Sequence, residues 1–144
     1  MEKTRNLEDF KINVKFKLSA LWASLMFCYL YGDFFTLFVP GRIQNLMDGD
    51  SGAGATSPTK LLAYAILMTI PSLMVFLSLG LKAKINRLLN IILGCFYMIV
   101  MILIVATSHG EWMFFYILLG IVEIAISLLI IGYGWKWPKK EELE

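Results

Sequence analysis

Two carboxylates stand inside long apolar runs of this chain. Asp33 interrupts Leu21-Trp-Ala-Ser-Leu-Met-Phe-Cys-Tyr-Leu-Tyr-Gly-Asp-Phe-Phe, and Glu123 interrupts the last such run. A charged aspartate at the centre of a membrane helix costs about 2.5–3.5 kcal/mol on insertion scales. Acids at that depth are therefore candidates for proton, cation or ligand contact. No lysine or arginine lies at the depth of either one to neutralise it. Helical spacing surrounds both with hydroxyls and small residues. Asp33 shares a face with Trp22, Tyr29 and Thr36, and Glu123 with Tyr116, Gly120 and Ser127. Tyr64, Met68, Ser72 and Val75 align on a second run, and Asn90, Gly94, Tyr97 and Met101 on a third. Tyrosine hydroxyls can bond a carboxylate, and small residues let helices approach closely. The candidate ligand- or proton-binding set is Asp33, Glu123, Tyr29, Tyr64, Tyr97, Tyr116 and Ser72, with Pro71 as a candidate hinge. Depth counted along the helices places Asp33 with Tyr64 and Tyr116 toward one surface. It places Glu123 near the midplane with Tyr29, Pro71, Ser72 and Tyr97, so the two acids read as successive stations.

Other chemistries have little to stand on. The two cysteines, Cys28 and Cys95, lie apart in apolar runs, and the chain has one histidine, so neither a dithiol nor a metal site is expected. Asp48-Gly-Asp-Ser-Gly superficially resembles a calcium loop, but Gly52 stands where a third ligand belongs and no glutamate fills the twelfth position. No cofactor motif is present, and no basic, aromatic-interleaved surface points to nucleic acid.

The elements that must position these residues are membrane spans. The chain has 144 residues, 58% of them hydrophobic, with mean hydropathy +0.70. That exceeds the roughly 45–50% of soluble domains, and the excess falls in blocks. Four helices are expected, over about 18–39, 58–81, 86–107 and 109–133, with an outer loop at 40–57. The first, at 1.5 Å per residue, spans roughly 33 Å, enough for a hydrocarbon core of about 30 Å. Pro40-Gly41 ends it. Ser57-Pro58 opens the second as N-cap and first helical residue. Pro71 sits mid-helix there and frees the carbonyl of Leu67. Ser108 and Glu111 have capping-box spacing before the fourth helix. Residues 1–17 read as a basic interfacial segment whose lysines snorkel to headgroups.

Of thirteen basic residues only Arg42 and Lys60 fall outside the N-terminal segment, the Lys82–Arg87 turn and the tail. The positive-inside rule then puts both termini on the cytoplasmic side. The expected fold is all-α, a single four-transmembrane-helix bundle with lipid bilayer as its surroundings and a homodimer or larger membrane partner as its assembly.

The pattern Trp22-x-Ser24-x-Met26-Phe27-x-Tyr29-x-Tyr31-x-Asp33, with Phe38-x-Pro40-Gly41, Ile70-Pro71-x-Leu73-Met74, Asn86-Arg87-x-x-Asn90, Glu123 and Trp135-x-Trp137-Pro138, resembles a family of short bacterial integral membrane proteins classed as a domain of unknown function. Its layout is similar to that of DoxX-like proteins. The resemblance implies a four-helix protein of the bacterial inner membrane and transfers no activity. Small multidrug transporters are less similar, because their glutamate lies early in the first helix and Asp33 lies late.

Three functions compete. The first is binding or transport of a small molecule or cation, linked to protons, through an interior polar seam. The second is a structural or accessory subunit whose acids lock helices together. The third is a membrane enzyme acting on a lipid or quinone, for which no nucleophile–base pair or metal set is evident.

Overall fold

The structure is a computed structural model that describes residues 10–52 and 54–138. Its elements are α1 (Val14–Thr36), the short α2 (Arg42–Met47), α3 (Pro58–Gly80), α4 (Ala83–Thr107), a 3-10 turn (Glu111–Met113) and α5 (Phe114–Trp135). Four of these segments, counting the 3-10 turn with α5, are long and apolar enough to cross a membrane. No strand forms among the described residues beyond an isolated bridge between Asp50 and Ala55.

Boundaries follow local chemistry. Asn13 caps α1, its side-chain oxygen accepting from the Lys15 amide at 2.9 Å, so the helix begins one turn earlier than the apolar run. Lys15 and Lys17 serve the bundle from that extra turn. The Lys15 ammonium donates to the Leu79 and Leu81 carbonyls at the end of α3, at 3.2 and 2.7 Å. Lys17 lies 5.2 Å from the Tyr133 ring centroid. The expected snorkelling of residues 1–9 falls outside the described residues. At the other end α1 stops at Thr36, and the chain turns through Pro40 and a left-handed Gly41 (φ 78°) into α2.

Ser57 caps α3 as its spacing predicts, accepting from the Lys60 amide at 3.2 Å, with Pro58 as first helical residue. The capping box before α5 does not form. Ser108 Oγ instead donates back to the Ile104 carbonyl at 2.8 Å, and Glu111 opens a 3-10 turn. Gly110, at φ 104°, breaks the geometry a reciprocal cap requires.

Each spanning helix buries a seam spaced three and four residues apart. α1 buries Leu18, Trp22, Leu25, Tyr29 and Gly32; α4 buries Asn86, Asn90, Gly94, Tyr97 and Met101; α5 buries Gly120, Glu123, Ser127, Ile130 and Gly134. This is the spacing of helices packed as a bundle. α1 packs against α3 and α5, and α4 packs against α5, while α3 and α4 barely touch beyond their shared turn. Glycines set the α4–α5 approach. A methyl built on Gly94 would stand 2.9 Å from Ile131 Cγ1, and one on Gly134 2.9 Å from Ile91 Cγ1.

A buried polar chain locks the half of the bundle near the α3–α4 turn. Trp22 Nε1 donates to Asn90 Oδ1 at 2.7 Å. Asn90 Nδ2 donates to the Asn86 carbonyl and to Asn86 Oδ1, at 2.8 and 2.7 Å. Asn86 Nδ2 donates to the Ser78 carbonyl at 2.6 Å. Four groups that would be costly in hydrocarbon thus satisfy one another across three helices.

Candidate functional site

The site is a small cavity in the opposite half of the bundle, walled by all four spanning helices. Glu123 forms its floor. It sits on the α5 seam one turn from Gly120, where even a methyl would collide with Val105 and crowd Met101. The residue is 3% exposed. Its Oε2 is buried and has no hydrogen-bond partner. Ser127 Oγ, one turn further in, is also buried and unpartnered.

Tyrosines ring the space above. Tyr29 from α1 and Tyr97 from α4 meet with ring centroids 6.2 Å apart, and Tyr97 lies edge-on to Trp22 at 5.9 Å. These contacts join the cavity floor to the polar chain below it. Tyr116 from α5 lies over Gly32, where an added methyl would be 3.4 Å from its ring. The Tyr97 hydroxyl is already engaged, donating to the Leu67 carbonyl at 2.6 Å.

Asp33 stands at the mouth. It lies in the last turn of α1, next to the buried Gly32, and is itself exposed. The expected interior face of α1 is therefore corrected by one residue: Gly32 holds the seam and Asp33 flanks it. Its distance from Glu123 along the bundle is about 9 Å, since the α1–α5 packing of Gly32 on Tyr116 and Leu119 puts Glu123 some six residues below Asp33. The two acids line one cavity.

Asp33 also has a cationic neighbour that its depth in the sequence does not suggest. Arg42, from α2, exerts its field on Asp33 and on Tyr116. Its guanidinium donates to the Ser51 carbonyl and packs against Gly52, so the outer loop fixes its position. The turn through Pro40 and Gly41 brings it back across the end of α1.

Asp33, Glu123, Tyr29, Tyr97 and Tyr116 thus converge, and Tyr64 and Ser72 do not. Tyr64 is 40% exposed on the outer half of α3, away from the cavity. Ser72 is exposed and spends its hydroxyl on the Met68 carbonyl at 2.9 Å, with Met26 Sδ at 3.6 Å. The buried seam of α3 is Pro71, Met74 and Ser78, one position off the expected stripe. Pro71 is buried in that seam, below the cavity.

What sequence reasoning missed is the Trp22–Asn90–Asn86 chain and the reach of Arg42. The signal for the first was two asparagines one turn apart at the start of an otherwise apolar helix. The second depends on the path of a loop and left no comparable signal.

The space measures about 50 Å³, walled by carboxyl, phenol, methionine and aliphatic groups. A carboxyl with a free oxygen and aromatic faces around it can hold a cation or pass a proton. Among the described residues no three His, Cys, Asp or Glu side chains gather as a metal site would require.

Over residues 6–144 the chain matches a family described as a Family of unknown function (DUF6326). It belongs to that family. Neither a curated protein nor a solved structure matches it. The family is one of unknown function, so the reading of the cavity rests on its own geometry.

Proposed function

We propose that this bundle binds a small cationic group in the cavity between Asp33 and Glu123, in exchange with protons, as a binding or transport protein. The observation that supports it most is the unpartnered Oε2 of Glu123. Three tyrosines share its cavity, yet that oxygen accepts from none of them. A glutamate kept only to join helices would be hydrogen-bonded, as Asn86 and Asn90 are. The polar groups that tie this bundle together lie elsewhere, which weighs against the accessory-subunit reading of the acids. Asp33 at the mouth attracts a cation, and Arg42 beside it tunes that attraction. The aromatic walls add cation–π stabilisation of about 0.5–2 kcal/mol.

The test is equilibrium binding to the full chain in lipid nanodiscs, with primary ammonium probes from methylammonium to decylammonium. At least one probe is expected to bind, Glu123→Gln to weaken it tenfold or more, and Asp33→Asn to weaken it less. Binding is expected to fall on acidification, because a proton competes for the same carboxylate. If no probe binds in a manner sensitive to Glu123, the proposal fails.

A further inference from the structure

α3 leaves the bundle above Leu67. Its buried residues, Pro71, Met74 and Ser78, all lie in the half near the α3–α4 turn. From Pro58 to Ile66 every residue except Lys60 is exposed, on all sides of the helix. A helix packed along its length buries one stripe, and this half buries none. Leu61, Leu62 and Ile66 are 55, 60 and 56% exposed. The hydrogen bonds from Asn86 to Ser78 and from Tyr97 to Leu67 sit at or below the cavity floor. At this level Leu67 and Met68 of α3 line the cavity together with Val100 and Ile104 of α4, and the two helices pack little beyond their shared turn.

The size of the cavity decides what fits. At about 50 Å³ it is far below the roughly 300–1,000 Å³ that encloses a drug-sized ligand. It has room for a small head group the size of a primary ammonium, not for a trimethylammonium. The rest of a larger ligand must lie outside, and the apolar way out is between α3 and α4 into the acyl chains.

We propose, resting on the cation reading above, that the ligand is a membrane-partitioned amphiphilic cation. Its ammonium head sits on Glu123 among Tyr29, Tyr97 and Tyr116, and its alkyl tail passes between the outer halves of α3 and α4 into the bilayer. The tail never leaves hydrocarbon, so placing it costs no apolar exposure, and the bilayer concentrates the ligand beside the opening. A tailless cation must come from water past Arg42 and Asp33 and give up its whole hydration shell.

The experiment uses the full chain in nanodiscs of neutral lipid, corrected for partitioning into empty discs. Decylammonium is expected to bind at least tenfold tighter than methylammonium, and decyl sulfate and decyl maltoside not to bind. Glu123→Gln is expected to lose the cation by tenfold or more. A cross-link tests the route. Tyr64 and Val100 stand at one level in the antiparallel register set by Leu67 and Tyr97. In a Cys28→Ala, Cys95→Ala background, bridging the Tyr64→Cys, Val100→Cys pair with a bifunctional methanethiosulfonate reagent long enough to span the gap is expected to weaken decylammonium tenfold, and reduction to restore it. Equal binding of methylammonium, or decyl binding unchanged in the bridged pair, overturns the lateral route and leaves the cation site standing. Equal binding of decyl sulfate overturns the head-group assignment. Loss of every Glu123-dependent signal removes the cation reading itself.

Discussion

The Tyr97 hydroxyl donates to the Leu67 carbonyl at 2.6 Å, and that carbonyl is the one Pro71 leaves without its helical amide. A residue on α4 thus completes the hydrogen bonding of α3 at the point where the two helices separate. The proline removes a donor, lipid offers no replacement, and the tyrosine supplies one. The same tyrosine roofs the polar chain and walls the cavity. Its position couples helix packing to the site.

Tyr97→Phe should therefore cost about 1 kcal/mol, the scale of interhelical hydrogen bonds in membranes. Pro71→Ala restores an amide one turn from Leu67. The double variant is expected to lose less stability than the sum of the single changes. Unfolding in detergent, read as a double-mutant cycle, measures that coupling.

Asn90→Leu should be among the most damaging single changes. It strands the Trp22 indole N–H and Asn86 Oδ1, each of which costs about 1–3 kcal/mol when buried unmet. A fall in thermal stability with a shift of tryptophan emission is the expected readout. An unchanged emission would mean that Trp22 does not depend on Asn90.

Glu123→Gln and Glu123→Leu are expected to behave in the opposite way. The Glu123 carboxyl has an unpartnered buried oxygen, so replacing it should leave the fold within about 0.5 kcal/mol or stabilise it. Binding of the cationic probes should be lost in both. Loss of stability comparable to that of Asn90→Leu would make Glu123 a structural residue.

Gly94→Leu and Gly132→Ala separate packing glycines from incidental ones. Side chains of Ile130 and Ile131 crowd Gly94, so the first change should destabilise by about 1–3 kcal/mol. Nothing lies within 4 Å of a methyl on Gly132. The second should be neutral or stabilise by up to about 1 kcal/mol through helix propensity. Thermal unfolding of the two purified variants compares them directly.

Orientation is open to chemical labelling. Lys15, Lys17, Lys82, Lys84, Arg87 and Lys136 gather at one end of the bundle, and Arg42 and Lys60 at the other. In a background free of Cys28 and Cys95, Thr56→Cys should react with an impermeant thiol reagent on intact cells. Lys84→Cys should react only after permeabilisation. The reverse pattern would invert the topology.

The sequence by itself determined the four long apolar helices, the Ser57–Pro58 helix start and the seams of α4 and α5. Hydropathy reports which segments enter hydrocarbon, and small or polar residues at three- and four-residue spacing mark the inward side, as Asn90, Gly94 and Tyr97 do on α4. It could not choose the inward side of α3. Leucine and isoleucine are equally at home against lipid and against protein, so the exposed outer half carrying Tyr64 looks no different from a packed one. Nor could it place Asp33 within one position. Gly32 and Asp33 are neighbours about 100° apart on the helix, and only the contact of Tyr116 with Gly32 decides which of them faces in. Tertiary structure alone decided that Arg42 returns over Asp33, that Tyr97 answers Pro71, and that Glu123 opens on a cavity. Each of these depends on which helices become neighbours, and that is set by packing at distances the local pattern does not encode.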